Sequence, residues 1–244
     1  GLGYMGQPHL LMRYMAIRST KEIRTSRLIA IWWAVPAFWG AFLIGIVGLA
    51  AFGVDHFEDP ERLMPFLAQT VMPGWLAGIM ISGAIAAMMS TADSQLLVAS
   101  SAVSEDLYRV LLRPHAAPGE LLWIGRFAVI FIAIGAFLLA LDPESKVLDL
   151  VAYAWAGFGA AFGPTVLLSL YWGRMNRFGA LAGMLVGAST VIVWKQLEAG
   201  PFGLFDLYEI IPGFVLSAAA ILLVSLITPP PAPRIRQQFD NLYG

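Results

Sequence analysis

Residues 28–53 read LIAIWWAVPAFWGAFLIGIVGLAAFG, a run without a single charged side chain. A hydrocarbon core about 30 Å thick needs roughly 20 apolar residues in helical form. A helix also satisfies every backbone N–H and C=O inside its own segment, as hydrocarbon requires. The stretch therefore predicts a helix that crosses a membrane.

Similar apolar runs recur along the chain, separated by short charged segments. They predict six spans, at 28–53, 73–102, 120–141, 147–172, 178–196 and 210–228, and a partial helix over 5–17. Hydrophobic residues make up 59% of the 244, charged residues only 13%, and the mean hydropathy is +0.74. Since a water-soluble chain needs more polar surface, we expect an all-α, polytopic membrane protein in a lipid bilayer.

Several classes of function are disfavoured by what the sequence lacks. No Lys/Arg run resembles a nucleic-acid patch, and the chain has no cysteine for disulfides, zinc or iron–sulfur clusters. No hydrolase, zinc-protease, phosphate-loop or dinucleotide motif occurs. His9 is expected to be a helix-start residue, because no second ligand lies three or four residues away. We expect neither an enzyme, nor a cofactor, nor a transition-metal site.

The distribution of basic residues predicts the orientation, because short loops rich in Lys and Arg stay in the cytoplasm. Arg62, Lys146 and Lys195 fall on one side, where the loop 55–61 is acidic. The tail from about Pro229 is therefore predicted to be cytoplasmic. The other twelve basic residues share its side: Arg13, Arg18, Lys21, Arg24, Arg27, Arg109, Arg113, Arg126, Arg174, Arg177, Arg234 and Arg236.

The segments outside the spans carry weaker patterns. The loop 54–72 is predicted to contain a short helix after Pro60 that lies along the outer surface. The sequence PPPAP at 229–233 cannot continue a helix and is expected to lead into a short disordered end. Because Gly1–Gly6 resemble neither an initiator segment nor a signal peptide, the chain is interpreted as a fragment.

The stretch 78–94, GIMISGAIAAMMSTADS, suggests a cation site. A small residue recurs at every fourth position, from Gly78 to Ser94, and forms one narrow stripe. The carbonyl of Ala87 lies one helical turn before the hydroxyls of Ser90 and Thr91, so the three can supply part of a Na⁺ shell. Helix packing and hydroxyl bonds to the preceding turn explain the same residues.

Asp93 is a carboxylate in a predicted span, which is by default a candidate functional residue. It lies about 30 Å along the helix from Pro73, near the expected cytoplasmic edge. Two interpretations stay open, namely a water-facing structural role and a role in cation binding or release.

The first nine residues, GLGYMGQPH, predict an interrupted helix. Unwound backbone at membrane depth is tolerated only where protein or a water-filled cavity surrounds it, and in transporters it marks the solute site. Tyr4 offers a ring and a hydroxyl to a solute. The alternative is a plain loop that enters a helix at Pro8.

Glycines in two later helices suggest bending or close packing. The segment 153–164, YAWAGFGAAFGP, is predicted to bend as a gate requires, although close packing accounts for it almost as well. The candidate gating residues are Gly157, Gly159, Gly163 and Pro164. The stripe of Gly179, Gly183 and Gly187 is interpreted as helix packing only.

Three blocks resemble the sodium:solute symporter family: GLGYMGQPHLLMRYMA at 1–16, MSTADSQLLVASSAVSEDLY at 89–108, and 153–195. The resemblance implies a LeuT-like core of two inverted five-helix repeats. Residues 1–172 would form the second repeat without its first half-helix, 173–228 two peripheral helices, and 229–244 a cytoplasmic tail. The N-terminal repeat of the same protein would be the missing partner.

The resemblance also implies site residues. The sodium ligands would be the carbonyl of Ala87 and the hydroxyls of Ser90 and Thr91, with the remaining ligands on the missing repeat. Asp93 departs from the best-known proline carrier of the family, and with Ser94 it is a candidate second cation or release site. The implied substrate-binding residues are Tyr4, Gln7 and Pro8.

The function implied is sodium-coupled symport of L-proline into the cell by alternating access, across a bacterial inner membrane. One alternative is another small amino acid or carboxylate as solute. A second is a symporter-like sensory module of a signalling protein, which is disfavoured because no kinase sequence follows the last span. A helical packing subunit without transport would leave the interrupted first segment unexplained.

Overall fold

The described part of the chain is helical, and it contains no β-strand. A computed structural model describes residues 1–53, 56–57, 59–141, 146–197 and 201–243. Short 3₁₀ turns lie at Tyr4–Gly6, Pro60–Arg62 and Pro201–Asp206, and a π-helical segment covers Ala102–Leu112. The α-helices are α1 Pro8–Met15, α2 Glu22–Phe52, α3 Leu63–Val71, α4 Gly74–Ser101, α5 Pro118–Ala140, α6 Val147–Tyr171, α7 Arg177–Gln196, α8 Ile210–Ile227 and α9 Pro233–Tyr243.

Six of these helices are long and apolar enough to cross a membrane, which confirms the six predicted spans. They are α2, α4 with its π-helical extension, and α5 to α8. The predicted span 73–102 ends too early, because the helical run continues to Leu112. Within the extension Arg109 pairs with Glu105 at 2.7 Å, so charged residues continue the helix as an i,i+4 pair.

The prediction of a short helix in the loop 54–72 is confirmed where the structure describes it, and the prediction of a disordered tail after residue 229 is not. The short helix after Pro60 is confirmed as a 3₁₀ turn followed by α3. Asp55 and Glu58 of the acidic loop lie outside the described residues. The predicted disordered end is wrong, because α9 begins at Pro233. Proline stops a helix that precedes it but suits the first position of a new one.

The chain divides into two compact units. One combines Gly1–Met15 with Ala133–Gly244, and the other is Ala16–Ile132. These units describe packing and differ from the predicted division at residue 172. The assignment of residues 1–172 to an inverted repeat therefore stays a prediction.

In the unit Ala16–Ile132, an ion-pair cluster joins the π-helical segment to α5. Glu120 accepts a hydrogen bond from the Tyr108 hydroxyl at 2.5 Å and pairs with Arg113 at 3.1 Å. These contacts close the loop between α4 and α5 at its base. A second contact in this unit joins α3 to the C-terminal end of α2. A Cβ at Gly48 would lie 2.4 Å from the Leu63 side chain, so α3 packs directly on α2.

In the other unit, α6, α7 and α8 pack together through small residues, which confirms the packing role of the α7 glycines. A Cβ at Gly187 would lie 2.3 Å from the Ala160 carbonyl oxygen, and one at Gly183 would lie 2.2 Å from Ile221. The hydroxyl of the fully buried Ser217 donates to the Gly183 carbonyl at 2.8 Å. Glycine is needed here because the helix backbones approach too closely for a side chain.

Asn176 fastens the start of α7 to the end of α8. Its Oδ1 accepts the backbone N–H groups of Phe178 and Gly179, an N-cap that satisfies two otherwise unpaired donors. Its Nδ2 donates to Thr228 Oγ1 at 2.8 Å and to the Pro229 carbonyl at 2.9 Å. The end of α6, the start of α7 and the end of α8 therefore lie on the same side of the bundle.

We predict that Gly187→Ala destabilises the protein. The added methyl group meets the Ala160 carbonyl, a backbone atom that cannot rotate away, and such overpacking costs about 1–3 kcal/mol. The matched control is Gly135→Ala in α5, where a Cβ meets nothing within 4 Å. Thermal unfolding in detergent measures both variants. Equal unfolding temperatures for the two variants would contradict the packing analysis.

Candidate functional site

The N-terminal segment is interrupted at the position that the sequence predicts. A 3₁₀ turn over Tyr4–Gly6 ends at Gln7, whose backbone is extended with φ −82° and ψ 113°. Pro8 is the first residue of α1, and His9 follows it as a helix-start residue. This break leaves the backbone groups of the segment outside a continuous helix, as both interpretations of the sequence require.

The interrupted segment rests directly on α6. A Cβ at Gly6 would lie 2.2 Å from the carbonyl oxygen of Phe158, and one at Gly159 would lie 2.5 Å from the Cα of Gly3. A Cβ at Gly3 would in turn overlap the Trp155 indole. Glycines on both partners therefore let backbone meet backbone, and the break is held by packing.

Gln7 is buried and already has hydrogen-bond partners. Its exposed fraction is 4%, and its side-chain amide donates to the Gly3 carbonyl at 3.3 Å and to the Trp155 carbonyl at 3.4 Å. The first bond closes the 3₁₀ turn, and the second ties it to α6. These contacts make Gln7 a residue that positions the segment.

Tyr4 is the accessible member of the three predicted solute residues. Its side chain is 43% exposed, and its ring lies 6.3 Å from the Trp155 ring at an angle of 59°. Pro8 is half-buried. The geometry thus brings Tyr4, Gln7 and Pro8 together with Trp155, and leaves the Tyr4 face open.

The four predicted gating residues occupy different environments on α6, which runs unbroken from Val147 to Tyr171. Gly159 and Gly163 pack against the N-terminal segment, since a Cβ at Gly163 would lie 3.2 Å from the Leu2 carbonyl. Pro164 is buried, whereas Gly157 faces open space. Close packing accounts for Gly159 and Gly163, and a bending role for all four stays a prediction.

On α4, the Ala87 carbonyl and the Thr91 hydroxyl are already adjacent. The Thr91 hydroxyl donates to that carbonyl at 3.2 Å. Neighbouring oxygens around a hard cation with bonds of about 2.3–2.6 Å lie about 3.3–3.7 Å apart. The two oxygens therefore need only a small adjustment, and rotation of the hydroxyl hydrogen, to bind one cation. Both residues lie on an exposed face of the chain.

The neighbouring polar residues follow the same helix. Ser90 is exposed, and its carbonyl accepts a hydrogen bond from the Ser94 hydroxyl at 2.9 Å. Asp93 is exposed as well. Back-bonding of hydroxyls to the preceding turn is thus present at Thr91 and Ser94, as one of the two interpretations expects. At Thr91 the hydroxyl is the donor in this bond, so its oxygen keeps lone pairs that could bind a cation.

Two residues that make contacts with or from α6 were not identified from the sequence. Trp155 contacts Gly3, Gln7 and Tyr4, and the alternation of aromatic and small residues at 153–164 was the only signal for it. The Tyr208 hydroxyl donates to the Ala152 carbonyl at 2.6 Å. Burial and the nearby Glu209 raise the pKa of Tyr208, so its hydroxyl stays protonated and remains a donor.

Comparisons with known proteins agree with this architecture. The sodium/proline symporter of Escherichia coli K12 is 49% identical over 98% of this chain and 48% of that protein. The osmoregulated proline transporter OpuE of Bacillus subtilis is 48% identical over 95% of this chain and 47% of that protein. The high-affinity proline transporter PutP of B. subtilis is 46% identical over 99% and 50%.

The chain spans about half the length of the curated relatives that it matches. The model of the sodium:solute symporter family covers residues 1–187, well over half of the 244 residues. Six helices capable of crossing a membrane accompany this match. The chain is therefore a multi-pass membrane protein and belongs to the sodium:solute symporter family.

Proposed function

We propose that this chain is the C-terminal half of a symporter that uses the Na⁺ gradient to carry L-proline into a bacterial cell. The observation that carries the proposal is that relatives 46–49% identical over nearly the whole chain are named sodium/proline symporter or proline transporter. The chain would lie in the inner membrane, with its C-terminus in the cytoplasm. The twelve-to-three distribution of basic residues supports this orientation.

The proposed sodium site uses the Ala87 carbonyl and the hydroxyls of Ser90 and Thr91. The separation of 3.2 Å between the Ala87 and Thr91 oxygens supports it, as does the exposure of this face for ligands from another part of the protein. We assign those ligands to the N-terminal repeat of the full-length protein. Asp93 and Ser94, one turn further along, are proposed as a second cation or release site.

The proposed solute site is formed around the interrupted segment. Tyr4, which is 43% exposed, would contact L-proline, and Pro8 would line the same region. Gln7 would support the site, because its amide is hydrogen-bonded to the carbonyls of Gly3 and Trp155 and so holds the segment on α6. Gly157, Gly159, Gly163 and Pro164 lie on the helix beneath and would adjust as the site opens and closes.

Coupling follows from differential affinity. A cation that binds one conformation more tightly shifts the population towards it, and the solute that prefers this conformation then binds more tightly as well. The membrane potential adds to the driving force, because moving one charge through 100 mV is worth about 2.3 kcal/mol. Sodium would thus order the site before proline binds.

We predict that the full-length protein in proteoliposomes takes up labelled L-proline when a Na⁺ gradient is directed inwards. Replacing the Na⁺ gradient with K⁺ should abolish concentrative uptake, since no other driving ion is proposed. Competition by unlabelled amino acids and small carboxylates tests the solute. Uptake that is inhibited better by another compound than by L-proline would assign a different substrate to the same fold.

We predict that Ser90→Ala and Thr91→Ala each raise the Na⁺ concentration needed for half-maximal uptake about 10- to 100-fold, as expected for losing one charge-assisted contact of about 1.5–3 kcal/mol. Thr91→Ser keeps the hydroxyl and should behave like the wild type. The matched control is Thr70→Ala on α3, where the hydroxyl makes the same bond to the preceding turn. Unchanged sodium dependence in both alanine variants would refute the site.

We predict that Gln7→Leu destabilises the protein in the absence of proline by about 2 kcal/mol, because two hydrogen bonds of about 1 kcal/mol each are lost. Gln69→Leu, at an exposed position on α3, is the control. Thermal unfolding without solute measures both variants. Normal unfolding combined with weaker proline binding would make Gln7 a direct solute contact instead.

A further inference from the structure

The last helix of the chain, α9, is held at the level where the spans end. It begins at Pro233, six residues after Ile227, the end of α8. The five residues between them reach at most about 18 Å when extended. Further along α9, Phe239 packs on Gly173, where a Cβ would lie 2.9 Å from the ring. Gly173 follows the end of α6 by two residues.

These two attachments limit how far α9 can lie from the bundle. Asn176 joins the loop after α6 to the end of α8, so both attachment points belong to one edge of the bundle. A helix of 11 residues is about 16 Å long. Because it is tethered at its start and packed through Phe239, α9 runs along this edge and cannot extend far from it.

The side chains of α9 are arranged around one apolar stripe. Ile235 and Phe239 are four residues apart and share a face, and Ile235 remains 57% exposed. Arg234 and Arg236 lie about 100° to either side of Ile235. The opposite face carries Gln237, Asp240 and Asn241. An apolar stripe flanked by arginines, with a polar back, is the pattern of a helix that lies in a membrane interface.

We propose that α9 binds the anionic surface of the cytoplasmic leaflet. Ile235 would enter the headgroup region, and Arg234 and Arg236 would contact the phosphates of anionic phospholipids on both sides of it. The membrane is the occupant favoured by geometry, because the contact of Phe239 with Gly173 keeps the exposed Ile235 close to the ends of the spans. The negative charge of this leaflet complements the two arginines. The inference rests on the cytoplasmic orientation proposed above.

The two neighbouring glutamines supply a matched pair of probes. Gln238 lies about 60° from Ile235, near the stripe, and Gln237 lies about 160° from it, on the back. Both are exposed in the chain. A Gln237→Cys or Gln238→Cys variant of the full-length protein is labelled at that position with an environment-sensitive fluorophore. The protein is placed in nanodiscs of phosphatidylcholine, with or without phosphatidylglycerol.

With phosphatidylglycerol, we expect the label at 238 to be shielded from iodide and quenched by spin-labelled headgroups, while the label at 237 stays open to iodide. Replacing Arg234 or Arg236 by Gln should lower the ratio of membrane-bound to released α9, measured by protection of the label at 238 from iodide, about fivefold for each arginine. Arg234→Lys with Arg236→Lys should retain the effect. Unchanged thermal unfolding of each variant shows that the fold is intact.

Equal exposure of the two labels in the presence of phosphatidylglycerol would overturn the proposal. Protection at 238 that depends on neither phosphatidylglycerol nor the arginines would overturn it too, because protein contacts alone would then hold the helix. Both faces of a nanodisc are accessible, so the result is independent of orientation and of transport. Loss of sodium-driven proline uptake in a parallel assay would count against the proposed function alone.

Discussion

In the unit formed by Gly1–Met15 and Ala133–Gly244, the packing depends on close approach of one backbone to another at glycine residues. Between helices in a membrane, burial of apolar surface supplies little driving force, because lipid is as apolar as the helices. Gly6 against the Phe158 carbonyl, Gly159 against Gly3, and Gly187 against the Ala160 carbonyl bring the elements close enough for dispersion and hydrogen bonding. The interrupted N-terminal segment can therefore pack directly against the backbone of α6.

That surface explains how a break can persist beside hydrophobic helices. The backbone groups at the break have local partners, because the Gln7 N–H donates to the Tyr4 carbonyl and the Gln7 carbonyl accepts the N–H groups of Leu10 and Leu11. The Gln7 amide then ties the turn to α6 through the Trp155 carbonyl. Tyr4 is left accessible on the outside of the turn. The arrangement therefore separates residues that support the break from the residue that faces outward, a division that suits a solute site built on fixed backbone.

The helix α4 follows a different principle, because Ala87, Ser90 and Thr91 lie on an exposed face. The Ala87 and Thr91 oxygens are paired by an ordinary hydrogen bond along one helix. This bond satisfies both groups, and only the hydroxyl hydrogen would have to rotate for the proposed sodium ion to bind. A partial sodium shell on one helix, as proposed above, would therefore be compatible with stability, and ligands from another element would complete it.

The sequence by itself determined the number, class and approximate bounds of the spans, because apolar length and charge-free composition are local properties. It also located the break before Pro8 and the packing stripe of α7, since glycine and proline act on their own backbone. It missed the continuation of α4 to Leu112 and the helix α9, where charged or proline-rich sequence is still helical. Only the tertiary structure decided that the Gln7 amide donates to the Trp155 carbonyl, and that Phe239 packs on Gly173. These contacts join residues far apart in the chain, and their existence depends on how helices pack, which no local pattern encodes.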